Sequence, residues 1–255
     1  MKRLVFAGAI ALSLSFGCQK NTNQLVEQVA KLEKRIELLE QRLKAAPQPN
    51  APRQEEPQTQ ALDIPLGDSY VWGNPKASIT LIEFSDIQCP FCVKAHSELV
   101  EKIQEDPELK NKVKIVYKQF PLNFHKNARP AAKATLAAGE QSADCFWKML
   151  KVLYSKQKEL AGEISPEEYK KWAAEVQCEQ NGKVAALNVE KFSKDLSAND
   201  AKYNKMIDDD MATGQNKGVR GTPSFYVGDQ KGFWKLTGQR TVDAVKQVIK
   251  ERNLN

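Results

Sequence analysis

The apolar, strand-length run from Ser78 to Phe84 gives way at Ser85 to Cys89-Pro90-Phe91-Cys92, beyond which Val93, Leu99, Val100 and Ile103 recur at helical spacing. A cysteine pair of this spacing, set where a strand hands over to a helix, constrains the chain more than any other feature. The two thiols can close a disulfide, with the Cys89 sulfur outermost. Free backbone N–H groups and the positive end of the helix dipole stabilise its thiolate. Pro90 suits the first turn, where its missing N–H costs nothing. A thiolate is the nucleophile of disulfide exchange, so the pattern points to redox-active thiols, with Cys89 attacking and Cys92 resolving the mixed disulfide. A structural disulfide is the bland alternative. Half of a zinc or copper site is another, with His96 and His125, the chain's two histidines, as the available further ligands.

The surrounding pattern is α/β. A second strand reads Val113 to Tyr117, and a long helical stretch follows, with Pro130 at a helix start and further helix from Phe146 to Tyr154 and from Pro166 to Val176. The chain returns to strand at Ser224 to Val227, turns, runs through Phe233 to Leu236, and ends in a helix after Thr241. The expected domain covers residues 63–255, with a helical insertion at about 126–217.

Before it the chain has three different compositions. Lys2 and Arg3, the apolar run Leu4 to Phe16, and Gly17-Cys18 have the parts of an export signal ending at residue 17. About 13 apolar residues reach only ~20 Å as a helix, short of the ~30 Å bilayer core, which argues against a spanning anchor. Leu14 to Cys18 is similar to a bacterial lipobox, making Cys18 the expected lipid-attachment residue. Ser15 and Phe16 depart from that pattern, and Ser15 with Gly17 also suits an ordinary signal peptidase. Residues 24–44 carry a heptad pattern, with Val29, Ile36 and Leu43 at one seam position and Leu25, Leu32 and Leu39 at the other. β-Branched residues at a with leucine at d favour a parallel dimer, with a trimer the next state. A single amphipathic helix on the domain or the membrane is the plainer reading. Residues 45–62, with Pro47, Pro49, Pro52 and Pro57, read as an extended spacer.

The run Glu83 to Cys92, the segment Phe120 to His125, the region Cys145 to Trp147 and the stretch Gly218 to Pro223 resemble, in that order, the DsbA family of thioredoxin-fold thiol–disulfide oxidoreductases. The likeness is strongest to the exported subgroup related to BdbD and to DsbG- and ScsC-type proteins. It implies a thioredoxin fold with a helical insertion, preceded here by the coiled-coil helix and Pro-rich linker. It implies that Cys89 is the nucleophile and Cys92 the resolving thiol, and that Thr222-Pro223 is a cis-proline loop facing the disulfide and holding substrate backbone beside Pro90 and Phe91. Glu83, six residues before Cys89, matches a buried acid that relays the Cys92 proton; read alone, it could be an edge-strand surface carboxylate. Lys118 is a candidate partner for Glu83, though a solvated lysine is the simpler reading, and His96 reads as a surface helix residue, with a modulator of the thiol's pKa as the alternative. Phe91 stands where DsbA proper has histidine, so the Cys89 thiolate should be less stabilised than in DsbA.

Cys145 and Cys178 remain. In an oxidising compartment they suggest a structural disulfide across two helices, with a second redox couple or two buried thiols as alternatives. Trp147 and Trp172 read as core. A net charge of +6 without a basic block argues against nucleic-acid binding. The expected protein is an exported, periplasmic or envelope oxidoreductase, lipid-anchored through Cys18 and needing no cofactor or metal. It exchanges disulfides with Cys-containing exported proteins as an oxidase, or as an isomerase or reductase if dimeric through residues 24–44. A membrane or small-molecule redox partner restores it. An envelope interaction lipoprotein and a Cys/His metallochaperone are the other readings.

Overall fold

The computed structural model describes residues 26–38 and 58–254. The chain divides into two units, Met1–Pro57 and Gln58–Asn255. In the first, residues 26–38 form a helix, α1, exposed along its whole described length. Its stripe of Val29, Leu32 and Ile36 is 49%, 56% and 55% exposed. Glu27 and Lys31 pair one turn apart on its surface. The export signal at 1–17, Cys18, Leu25, Leu39, Leu43 and the spacer up to Pro57 lie outside the described residues.

The second unit is built on five strands: β1 (Val71–Trp72), β2 (Ile79–Ser85), β3 (Val113–Gln119), β6 (Ser224–Asp229) and β7 (Gly232–Lys235), in the order β1-β3-β2-β6-β7. β2 lies at the centre, parallel to β3 and antiparallel to β6, and all seven of its residues are buried. A strand covered on both faces needs a near-continuous apolar run, which Ile79 to Phe84 provides except at Thr80 and Glu83. Alternate side chains serve opposite faces. Leu81, Ile115, Tyr117 and Val227 pack into the larger core on one side, and Ile82, Phe84, Val116 and Tyr226 into the smaller core on the other. This is the thioredoxin arrangement that the resemblance implied.

Helix α2 (Pro90–Ala95) leads into a π-helical turn, His96–Val100, and then α3 (Glu101–Glu105), crossing back to β3. The insertion between β3 and β6 holds α4 (Ala128–Gly139), α5 (Ala143–Ser155), α6 (Gln157–Leu160), α7 (Pro166–Ala173), α8 (Val189–Ala198) and α9 (Asp200–Asn216); α10 (Val242–Glu251) closes the chain. The insertion is not wholly helical, because β4 (Gln177–Gln180) and β5 (Lys183–Ala186) form a hairpin inside it. The turn residues Asn181 and Gly182 both have positive φ, as a tight two-residue hairpin turn requires.

One boundary and one disulfide setting differ from expectation. The folded unit starts at Gln58, not Asp63: the Gln58 amide bridges Phe233 O and Lys235 N, and Leu62 exchanges two backbone bonds with Phe233. Cys145 and Cys178 are bonded, but across a helix and a strand, α5 to β4, because Cys178 falls in the unexpected hairpin. Both are fully buried. Ser142 caps α5 by accepting from Cys145 N. Trp147 and Trp172 lie in the core, as read.

Candidate active site

The centre of the site is the end of β2 and the start of α2. Cys89 is the N-cap of α2, with Pro90 at the first helical position and the amides of Cys92 and Val93 returning to Cys89 O. Cys89 keeps 4% of its surface and Cys92 none, so the first sulfur is the outer one. The two thiols titrate in opposite senses. The hydrogen bond from the Cys92 thiol is the main cause that lowers Cys89 to about 6, aided by the backbone N–H groups of Cys92 and Phe91 and by Thr222, and opposed by burial. Burial, then the neighbouring Cys89, push Cys92 far above the ordinary range. Across the site the Thr222–Pro223 peptide is cis, and the Thr222 carbonyl oxygen lies 3.8 Å from Cys89 Sγ.

Beneath the thiols lies a buried polar cluster. Ser85 interacts with Cys92, and its Oγ is 3.1 Å from Tyr154 OH, which in turn is 3.4 Å from Tyr117 OH. Burial first, and then nearby negative groups that include both Glu83 and Cys92, hold the two phenols well above their usual range. Glu83 is fully buried, and its Oε2 is 3.0 Å from His96 Nδ1. The edge-strand reading fails because β2 is central. His96 is 6% exposed, not a surface residue: one helical turn beyond the buried Cys92, it shares the face that packs on the sheet. Its ring stacks with Trp72 and Trp147 and tilts against Tyr154.

Lys118 does not meet Glu83. Glu83 is in register with Tyr117, so Lys118, the next residue, serves the opposite face. There, 2% exposed, it donates to Leu66 O at 2.7 Å and to Asp210 Oδ1 at 2.8 Å, joining β3 to α9. It is neither solvated nor part of the site.

Asp86, which the sequence reading passed over, organises the rim. Its Oδ1 accepts from Gln88 N at 2.7 Å, while Oδ2 accepts from Leu122 N at 2.8 Å and lies 2.7 Å from His125 Nδ1. Its own N–H points at Cys92 Sγ, 3.5 Å away. The loop that His125 anchors carries Phe124, 75% exposed, and Phe91 is 69% exposed. Phe91 also walls an open cleft of about 340 Å³, with Lys94 and Glu98 on one side and Gly238 to Thr241 on the other. As for a metal, each histidine commits Nδ1 to a buried carboxylate, and no cluster of three ligating residues is present among the described residues.

The Thioredoxin family model matches residues 66–251. Probable disulfide bond formation protein D of Bacillus anthracis is 30% identical over 155 residues, 61% of this chain and 67% of that one. The Na(+)/H(+) antiporter NhaA 1 of Salinispora arenicola is 28% identical over 163 residues, which are 64% of this chain but 22% of the antiporter, so the chain spans only about a fifth of that relative. The crystal structure of oxidised BdbD from Bacillus subtilis aligns with a TM-score of 0.60 at 24% identity, covering 75% of this chain and 96% of that one, a likeness of fold.

Proposed function

The chain belongs to the thioredoxin family, in its DsbA-like branch of thiol–disulfide oxidoreductases, and from that premise we propose that it introduces disulfides into Cys-containing exported proteins through Cys89 and Cys92. One observation carries the direction: Cys89 is lowered to about 6 while Cys92 is raised. A stabilised thiolate favours the reduced pair and makes Cys89 a good leaving group, so the oxidised pair passes its disulfide on. The names of the disulfide bond formation relatives agree with that direction.

In the forward step a substrate thiolate attacks Cys89 Sγ, the Cys89–Cys92 bond breaks, and Cys92 leaves with the electron pair and takes a proton. A second substrate thiolate then attacks the substrate sulfur of the mixed disulfide and expels Cys89 as the thiolate. The substrate is oxidised and the cysteine pair reduced, so a membrane-bound or small-molecule oxidant must reoxidise it. Glu83 is the buried acid that exchanges the Cys92 proton. Thr222 and Pro223 receive the substrate backbone. Pro90 and Phe91 face the residues beside its cysteine, and the Phe91 cleft accepts one of those side chains. Export through residues 1–17 and lipid attachment at Cys18 would place this chemistry at the cell envelope, where disulfides persist.

A second reading is favoured by the exposed stripe of α1. Val29, Leu32 and Ile36 continue a heptad, and a second copy of this chain is the occupant that such a seam fits. A dimer would hold two cysteine pairs on one particle, the arrangement suited to reshuffling wrong disulfides rather than making new ones.

Equilibrating the full chain with glutathione tests the proposal. A Cys89 value of about 6 lies between the roughly 3.5 of DsbA and the roughly 7 of thioredoxin, so for a disulfide donor the expected potential is below about −120 mV but above about −200 mV. A value near or below about −200 mV would reverse the direction, and the absence of exchange would refute the enzyme.

A further inference from the structure

A fully buried carboxylate costs several kcal/mol unless a donor compensates it. Glu83 has such a donor at one oxygen only: Oε2 lies 3.0 Å from His96 Nδ1, whereas Oε1 has no hydrogen-bond partner among the described residues. At that distance an ionised carboxylate accepts and Nδ1 must carry the hydrogen; if the carboxyl is protonated, the roles exchange. Either way the contact holds one proton. The imidazole is poorly free to turn, being stacked with Trp72 and Trp147 at centroid distances of 6.1 and 6.2 Å and tilted on Tyr154 at 5.2 Å. The titratable groups that face this pair are Tyr117 from β3 and Tyr154 from α5, each of which also interacts with Cys92 on α2, and the Ser85 hydroxyl contacts both Tyr154 and Cys92.

We propose that His96 is the positioning residue of the buried acid: it clamps Oε2 of Glu83 and leaves Oε1 to exchange the Cys92 proton at the Ser85–Tyr154–Tyr117 cluster. The inference rests on the oxidoreductase reading above. In the resolving direction, the Cys92 thiol gives its proton to the Glu83 carboxylate as its sulfur attacks Cys89. The Cys92–Cys89 bond forms, the bond from Cys89 to the other thiol breaks, and that thiol departs as a thiolate with the electron pair. The cysteine pair is oxidised and the departing thiol reduced. Run backwards, the same step protonates Cys92 as it leaves. Without the clamp the carboxyl can rotate and has no compensating donor, so it ceases to be a fixed proton acceptor.

The test follows the decay of a mixed disulfide between Cys89 and glutathione in the full chain across pH, beside the alkylation of Cys89 in the reduced protein. His96→Leu removes the donor, and His96→Asn keeps an N–H close to the Nδ1 position. The leucine variant is expected to slow resolution on the order of a hundredfold at neutral pH and to lose the wild-type pH inflection. The asparagine variant should recover most of that rate, and both should alkylate at Cys89 with the wild-type profile. If the leucine variant does not fold, the isosteric Glu83→Gln replaces it, with the same slowing expected. Resolution at the wild-type rate and profile in His96→Leu, or an asparagine variant as slow as leucine, would overturn the role of His96 alone, whereas a wild-type rate in Glu83→Gln would overturn the buried-acid relay that His96 is argued to position. A wild-type chain that never resolves the mixed disulfide would overturn the oxidoreductase reading itself.

Discussion

Cys89 and Cys92 share one turn of helix yet titrate in opposite directions, and the asymmetry comes from what each sulfur touches. Cys89 collects donors: the Cys92 thiol, then the Cys92 and Phe91 amides. Cys92 is walled off, with the hydroxyl of Ser85 and the amide of Asp86 offsetting only part of its burial. Reduced protein should therefore alkylate at Cys89 with an inflection near about 6. Cys92→Ala should move that inflection up toward the usual value of about 8.5, since it deletes the largest cause. An unmoved inflection would transfer the effect to the helix backbone. A depressed thiol stabilises the reduced fold fully above the unfolded value, and that contribution is lost as pH falls through about 6. The cysteines and Glu83 were legible because their spacing carries their chemistry. His96 was misread as a surface residue although simple periodicity carried the signal: it stands four residues after Cys92, on the face that also holds Leu99, Val100 and Ile103. Asp86 carried no comparable signal, since its partners Leu122 and His125 come from a distant loop.

At the scale of elements, strand alternation decides which face each group serves. Lys118 looked like a candidate for Glu83 only while the register between β2 and β3 was unknown. Its ammonium ties β3 and the segment at Leu66 to Asp210 on α9. Burial raises the Asp210 carboxyl despite that partner, so its ionisation is penalised in the fold. A raised carboxylate loses stability as pH rises from about 4 through its folded value, and Lys118 limits the loss. Lys118→Met should cost about 3–5 kcal/mol in urea unfolding at neutral pH, with the deficit shrinking as acid protonates the raised Asp210 carboxyl. A deficit independent of pH would mean that packing, not charge, is what the lysine supplies. The strands, the crossover and the last helix could be read from periodicity, because each buries its own apolar pattern. The β4–β5 hairpin could not be read that way, as β5 is exposed throughout. Its one local signal was Asn181-Gly182, short beside the helices around it.

For the whole molecule, the open question of direction becomes one of assembly. A donor works as a single copy, whereas the isomerase reading needs two. If α1 pairs through its stripe, sedimentation of the full chain should give twice the chain mass. Leu32→Lys with Ile36→Lys should halve it while leaving exchange at Cys89 and Cys92 intact. A monomeric wild-type mass would remove the isomerase reading. The fold class was visible in the sequence because strand–cysteines–helix and the returning hairpin are local patterns. The start of the folded unit was not, because Gln58 and Leu62 are held by Phe233 and Lys235, far along the chain.

The Cys145–Cys178 bond also limits what the molecule can do to itself. Closing a loop of this length stabilises a fold by about 3–4 kcal/mol. A protein that carries a reactive thiolate meets many copies of itself, and every disulfide on its surface is a target for scrambling. Exchange requires a thiolate to approach a sulfur along the S–S axis. With both sulfurs at 0% exposure, neither a neighbour's Cys89 nor a small thiol can make that approach until α5 and the hairpin come apart. The catalyst is thus insulated from its own reaction, and the insulation lasts as long as the helical insertion stays folded.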